Sequence, residues 1–330
     1  MNAVVATGSP RRSPFLTAVL RSEYLVLLLC AALLAALAPF TPGLTSSDNL
    51  LSVLANLSPL LVVALGQTLV LIVGGIDLSV TSTIALTSVV GALAMNRDTG
   101  WLAGSPTAAP VAVLVMLGLG GIIGAANGFA VTRLRMPPFM VTLTAMMFLS
   151  GFAIWLTQSR NIGNLPVAFT GVGSRPALAL SLAGVLALLV HLILERSFYG
   201  RWLRAVGFNP RTARVSGVPV EGVVTAAYVA SGVLAGAASV LYTGRLETGS
   251  PVLGQRILLD VIGAAVIGGT SLFGGKGRVS WTLSGVLFLT LLDNALNLLG
   301  LSHFTIMMVK GPVILLAALL DTLRNRRLAA

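Results

Sequence analysis

Apolar runs long enough to cross a lipid bilayer recur along nearly the whole chain. A membrane-spanning α-helix needs about 20 mostly apolar residues to cross a hydrocarbon core of about 30 Å. Hydrophobic residues make up 56% of the 330 residues and charged residues only 9%, which excludes a water-soluble globular protein. We therefore predict an all-α, polytopic transmembrane helical bundle of about ten spans. The predicted spans lie near residues 24–40, 52–73, 79–95, 108–131, 139–157, 177–194, 221–242, 257–272, 280–299 and 304–321.

The basic residues between these runs predict the orientation in the membrane. With the N-terminus in the cytoplasm, 15 of the 21 Lys and Arg residues fall in cytoplasmic segments and five in external ones. The positive-inside rule then places both termini in the cytoplasm. The predicted organisation is a cytoplasmic segment 1–23, a transmembrane domain 24–321 and a cytoplasmic tail 322–330. Because the net charge of +11 has this distribution, we predict no nucleic-acid partner.

One carboxylate and a glycine pair interrupt the apolar sequence between the second and third predicted spans. An ionisable group near hydrocarbon costs about 2.5–3.5 kcal/mol on insertion scales, so Asp77 marks a structural or functional position. Gly74 and Gly75 predict a sharp turn or a broken helix, and Asp77 is predicted to be the N-cap of the third span. A gating or substrate-path role stays open, since interrupted helices at membrane depth are tolerated chiefly where they line a cavity.

Polar residues also interrupt the ninth and tenth predicted spans. Asp293 and Asn297 share one helix face, with Asn294 beside them, and Lys310 lies in the next span. This polar stripe has two interpretations: it pairs with Lys310 across the hairpin, or it lines a translocation path for a polar solute. Asp260, near the outer end of the eighth span, is interpreted as an interfacial cap.

The longest basic loop, 200–219, contains the signals of a short helix. Asn209 is a predicted N-cap and Gly217 a predicted C-terminal glycine, which leaves a helix of about two turns that presents Arg211 and Arg214 outside the membrane. A loop that only connects two spans needs no capped helix, so we predict a docking element for a cytoplasmic partner. The alternative is an interfacial helix that lies on anionic membrane lipid.

The sequence provides no pattern for a cofactor, a metal ion or catalysis. His191 and His303 lack metal-ligand partners at suitable spacing. Lys276 does not belong to a phosphate-binding loop, because Thr270 and Gly277 occupy the positions that require Gly and Ser or Thr. We therefore predict no enzyme activity, and any ATP hydrolysis must come from another subunit.

Glycines spaced four residues apart predict close helix contacts. Gly120, Gly124 and Gly128 lie on the fourth span, and Gly232 and Gly236 lie on the seventh. Small residues at this spacing let another backbone approach closely. Packing inside the bundle is the preferred interpretation, and a subunit interface is the alternative.

Four motifs together resemble one known family of membrane proteins. They are Gly66-Gln67-Thr68 through Ser79, the loop from Gly207-x-Asn209 to Gly217, the run from Gly268 to Arg278, and Asn294-x-x-Asn297-Leu298-Leu299-Gly300. In this order they resemble the ribose-type permeases of bacterial ATP-binding cassette sugar importers, and the similarity spans nearly the whole chain.

The resemblance implies a subunit of the bacterial inner membrane that acts as a dimer with a second permease chain, the same or related. It further implies a cytoplasmic ATP-binding cassette ATPase subunit and an extracytoplasmic sugar-binding protein as partners. Segment 207–217 would be the coupling helix. Its coupling residues would be Gly207, Asn209, Arg211, Ala213, Arg214 and Gly217.

The expected function is alternating-access import of a neutral monosaccharide. Relatives that look similar carry ribose, xylose, arabinose, galactose, rhamnose or autoinducer-2. Asp77, Asp293, Asn294 and Asn297 are the candidates for the translocation path or its gate. The alternative is a proton-coupled secondary transporter, in which Asp77, Asp293 or Lys310 would serve as the proton relay.

Overall fold

The computed structural model describes residues 25–329, and these residues form 13 α-helices. The helices are α1 (Leu25–Leu37), α2 (Ser47–Ile72), α3 (Val80–Met95), α4 (Ala108–Thr132), α5 (Pro138–Thr157), α6 (Val167–Ser174), α7 (Pro176–Arg196), α8 (Phe198–Phe208), α9 (Pro210–Val215), α10 (Val220–Leu246), α11 (Leu258–Gly268), α12 (Val279–Leu298) and α13 (His303–Ala329). Within this part of the chain the extended structure is limited to one bridge between Ile162 and Gly249. The all-α prediction is confirmed, while the predicted segment 1–23 lies outside the described residues.

Six of the described helices are long and apolar enough to cross a membrane: α2, α4, α5, α7, α10 and α12. Four shorter apolar helices, α1, α3, α11 and the stretch His303–Leu316 of α13, overlap the other four predicted spans. The chain is therefore a polytopic helical bundle.

Helices α2 and α10 form the centre of the bundle. Every residue of α2 from Leu57 to Ile72 is buried, as expected for a mostly apolar helix that other helices surround. Helix α10 packs against α2, α3, α4 and α6, so it connects the two halves of the chain. Of the remaining long helices, α4, α5 and α7 expose much of their apolar surface, whereas α12 is mostly buried.

The glycine-rich faces of α4 and α10 lie directly against each other. A Cβ on Gly120 would overlap the carbonyl oxygen of Gly232, and a Cβ on Gly232 would overlap that of Gly120. A Cβ on Gly124 would lie 2.9 Å from the Cα of Val229. The prediction that these glycines pack inside the bundle is confirmed, because only glycine allows the two backbones to approach this closely.

Two helices occur where the sequence predicted only loops. Helix α6 lies inside the predicted external segment between the fifth and sixth spans. Helix α8 precedes the predicted docking helix and is amphipathic, with Leu203 and Val206 buried and Phe198 exposed. Its basic residues made this stretch resemble a solvated loop. Burial raises the pKa of Tyr199, and its hydroxyl donates a hydrogen bond to the carbonyl oxygen of Val223 (3.1 Å), which joins α8 to α10.

Candidate coupling segment and buried polar clusters

The short helix predicted within the loop 200–219 is present, and both of its predicted caps are confirmed. The side chain of Asn209 accepts hydrogen bonds from the backbone N–H groups of Arg211 (3.0 Å) and Thr212 (3.1 Å). At the other end Gly217 adopts φ +82°, and the N–H of Val218 donates to the carbonyl oxygen of Ala213 (3.0 Å). This is a Schellman termination, so α9 is a defined six-residue helix.

Helix α9 has one buried side and one exposed side. Ala213 is buried against the hydrophobic core, whereas Arg211, Arg214 and Val215 are exposed. Arg214 makes an ion pair with Glu221 at the start of α10 (3.0 Å), and both side chains are about half exposed. The small residue therefore anchors the helix and the larger ones face outward.

Gly207, just before α9, lies backbone to backbone against the end of α2. A Cβ on Gly207 would overlap the carbonyl oxygen of Ile72. That oxygen also accepts a hydrogen bond from the N–H of Gly275 (2.8 Å), and a Cβ on Gly274 would lie 2.8 Å from the carbonyl oxygen of Gly207. Three chain segments thus meet at one end of the bundle: the end of α2, the end of α8 just before α9, and the loop 269–278.

Exposed apolar side chains surround this meeting point. Phe208 is 71% exposed, Val215 90% and Phe273 83%, and the exposed Lys276 lies in the same loop as Phe273. A Cβ on Gly275 would lie 2.8 Å from the ring of Phe208, which places this ring beside the loop 269–278. Large apolar side chains among exposed basic residues are typical of a surface that contacts another protein or the membrane.

Asp77 lies in the nonhelical segment between α2 and α3, where Gly74 adopts φ +79°. The broken helix is confirmed, but the N-cap prediction for Asp77 is wrong by two residues: the N-cap of α3 is Ser79. The carboxylate instead closes a local turn before the helix, accepting hydrogen bonds from the N–H (3.0 Å) and the hydroxyl (2.6 Å) of Ser79.

The Asp77 carboxylate also connects three parts of the bundle. The hydroxyl of Ser231 on α10 donates to it (3.0 Å), and the amide of Asn127 on α4 donates to the hydroxyl of Ser79 (2.8 Å). All four residues are buried. Asp77 does not line either of the two cavities, which are of about 710 and 540 Å³.

A second polar cluster lies at the opposite end of the bundle, in a cavity of about 540 Å³. Lys310 on α13 pairs with Asp293 on α12 (2.7 Å), which confirms the predicted contact across this hairpin. It also pairs with both carboxylate oxygens of Asp260 on α11 (2.8 Å). The interpretation of Asp260 as an interfacial cap is therefore wrong, because its carboxylate turns inward to a buried cation.

The other two predicted path residues line the same cavity but differ in their contacts. Asn294 and Asn49 exchange two amide hydrogen bonds, each 2.8 Å long, which join α12 to the start of α2. The Asn297 amide is exposed and donates only to the backbone oxygen of Asp293 (2.7 Å). Among the described residues, none donates a hydrogen bond to the amide oxygen of Asn297, whereas Asn294 joins two helices.

Sequence reasoning missed Asp260, Asn49, Asn127 and Ser231 as members of these clusters. Asp260 had a usable signal, because it and Lys310 carry opposite charges inside two apolar segments and each needs a partner at that depth. The neutral residues gave no signal of a particular partner, since they carry no charge and their pairing depends on helix rotation.

The chain matches the family described as "Branched-chain amino acid transport system / permease component" over residues 49–318. It is 36% identical to the ribose import permease protein RbsC of Escherichia coli K12, over 96% of this chain and 98% of that protein. It is 30% identical to the L-arabinose transport system permease protein AraH of the same strain, over 99% and 98%. It is also 30% identical to the galactose/methyl galactoside import permease protein MglC of Haemophilus influenzae, over 91% and 93%. No solved structure matches the chain.

Proposed function

Because the chain belongs to this permease-component family and is a ribose-type permease, we propose that it forms the membrane pathway of an ATP-binding cassette sugar importer. It is a multi-pass protein of the bacterial inner membrane. The transported solute is a monosaccharide, either a ribose-like pentose, another simple sugar or autoinducer-2. The relatives named for ribose, arabinose and galactose support the sugar class without selecting one member.

This proposal depends mainly on the capped helix α9 and on the close contact between Gly207 and Ile72. A six-residue helix held by Asn209 at one end and by Gly217 at the other is a rigid element outside the apolar core. Gly207 places the approach to this helix against Ile72, where α2 ends. A movement of α9 therefore reaches α2 directly, and α2 is the most buried of the six long apolar helices.

The proposed partner at this surface is a separate ATPase subunit in the cytoplasm, and this chain catalyses no covalent reaction. Phe208, Val215 and Phe273 provide the apolar part of the contact, and Arg211 and Lys276 provide positive charge around it. The coupling loop is 200–219, and its candidate residues are Gly207, Asn209, Arg211, Ala213, Arg214 and Gly217. We place this surface, and both chain termini, on the cytoplasmic side of ten spans in the transmembrane domain 24–321.

Movement of α9 would reach the pathway by two routes. One runs through α8 to α7 and through the segment 216–219 to α10. The other runs through Ile72 to the segment 73–79, where Asp77 joins α3, α4 and α10 by hydrogen bonds. ATP-driven closure of the ATPase biases the bundle between inward-open and outward-open states only if the ATPase binds the two states with different affinity.

We propose that the cavity around Lys310 is a solute-binding site at the external side of the membrane. Sugar hydroxyls both donate and accept hydrogen bonds, and this cavity offers a carboxylate oxygen of Asp293 and the amide of Asn297, whereas the Lys310 ammonium already donates to Asp260 and Asp293. An extracytoplasmic sugar-binding protein would deliver the solute at this end, and a second permease chain would complete the dimer. In this proposal Asn294 holds α12 against α2 in the wall of the cavity. Asp77 holds α3, α4 and α10 together at the gate of the pathway.

A proton-coupled secondary transporter is the second candidate, and one observation favours it. Lys310 is held between two carboxylates inside the bundle, an arrangement that occurs in proton relays. A proton relay at Lys310 would lie at the end of the bundle opposite α9, and it would not explain why the chain contains this capped helix. The importer therefore accounts for more of the structure.

Uptake by reconstituted vesicles separates the two candidates. We expect accumulation of radiolabelled ribose or another monosaccharide to require ATP, the ATPase subunit and the binding protein, and to survive a protonophore when ATP is held constant. Collapse by the protonophore with ATP present would favour the relay. Uphill uptake by the chain alone would refute the importer.

A further inference from the structure

A groove of about 710 Å³ opens between α4, α7 and α10. The segment that contains α9 connects α7 to α10. Along the groove these two helices are separated, and Leu69 of α2 lies at the bottom of the gap. The walls are aliphatic, including Leu186 and Val190 of α7 and Val229 and Val233 of α10. Because α4 and α7 are mostly exposed apolar helices, the groove opens on an apolar outer surface of the chain.

The dimensions of the groove favour a thin chain as its occupant. Its α10 wall extends from Glu221 to Leu234, which is about 20 Å at 1.5 Å per residue. One leaflet contributes about half of a hydrocarbon core of about 30 Å. A whole helix about 10 Å wide and of this length occupies about 1,600 Å³, so it could cover the open side of the groove but could not lie within it. A lipid acyl chain fits both the length and the volume.

Only one end of the groove is polar. Arg133, at the end of α4, and Glu221 and Thr225, in the first turns of α10, lie at the end next to α9. Glu221 already pairs with Arg214, and the Arg133 side chain is exposed. Basic groups at the mouth of a pocket between transmembrane helices are suited to anionic lipid headgroups.

We propose that this groove binds one acyl chain of an anionic phospholipid from the leaflet next to α9, with the lipid phosphate at Arg133. The bound chain fills the gap between α7 and α10 and contacts the floor at Leu69. The assignment is independent of which solute crosses the bundle and of which subunit binds α9.

The test uses the full chain purified and placed in nanodiscs of phosphatidylcholine with a minor fraction of phosphatidylglycerol that carries a photoreactive acyl chain. We expect crosslinks to residues of the groove. Ala230→Trp fills the groove from α10, and Leu189→Trp fills it from α7. The matched control is Val185→Trp, which adds the same side chain on α7 at an exposed position outside the groove.

Both groove variants should lose these crosslinks and the phospholipid retained through purification, while the control keeps them. Arg133→Ala should weaken the preference for phosphatidylglycerol about fivefold, the factor expected for one basic residue at an anionic surface, and leave acyl crosslinks in place. Equal lipid retention in the control and in a correctly folded groove variant would overturn the proposal. The proposal would also be overturned if the groove variants dissociated a permease dimer while lipid retention stayed unchanged. The groove would then be a contact between two chains.

Discussion

The ammonium nitrogen of Lys310 lies 2.8 Å from both carboxylate oxygens of Asp260, although 50 residues separate them in the chain. On its other side the same nitrogen lies 2.7 Å from a carboxylate oxygen of Asp293. The Lys310 and Asp260 side chains are only 11% and 13% exposed. One cation thus holds the ends of α11, α12 and α13 together inside an apolar bundle.

Replacing Lys310 with Met should strongly destabilise the protein. The change leaves Asp260 buried without its cation, and removal of one partner of a buried ion pair typically costs about 3–5 kcal/mol. Thermal unfolding of the purified chain measures the effect. The double variant Lys310→Met with Asp260→Asn should recover part of the loss, because no buried charge is left uncompensated at position 260. An unchanged unfolding temperature in Lys310→Met would contradict the structural role.

Arg214→Glu should uncouple transport and leave the chain inserted and stable. Its ion pair with Glu221 is about half exposed, and such pairs contribute about 0–1 kcal/mol, so the folded chain loses little. The matched control is the charge swap Arg214→Glu with Glu221→Arg, which restores the internal pair but not the positive charge on α9. We expect ATP-dependent uptake to stay low in both variants. Full recovery in the swap would show that Arg214 acts through Glu221 instead of through a partner.

Gly207→Ala should disrupt assembly with the ATPase. The added Cβ overlaps the Ile72 carbonyl oxygen, so the end of α8 and with it α9 must shift. Gly184→Ala is the matched control, since no atom lies within 4 Å of a Cβ added there and alanine is favoured in a helix. Copurification of the ATPase with each variant measures the difference. Wild-type assembly in Gly207→Ala would refute the close approach.

Asp77→Ala should destabilise the chain more than Asp77→Asn. Alanine leaves the buried N–H of Ser79 and the hydroxyl of Ser231 without their acceptor, at about 1–3 kcal/mol for each unsatisfied group. Asparagine retains one acceptor oxygen, and the Ser231 hydroxyl can rotate to accept from its amide. Unfolding temperatures of the two variants should follow this order. The reverse order would argue against the hydrogen-bonded junction.

The helix positions, the break at Gly74 and the caps of α9 were predictable because each depends on neighbouring residues. The Asn209 cap reaches only two and three residues ahead, and Gly217 adopts a conformation that few other residues tolerate. Helix α8 was missed because a short amphipathic helix with several basic residues has the composition of a solvated loop.

Contacts between distant segments required the tertiary structure. The sequence alone determined that this chain crosses a membrane as a bundle of apolar helices and carries a capped helix outside it, since length, hydropathy and capping are local properties. Only the tertiary structure decided that Asp260 shares Lys310 with Asp293, that Gly207 lies on Ile72 and that a groove separates α7 from α10. These contacts depend on the rotation and depth of each helix, which side-chain packing across the whole bundle sets.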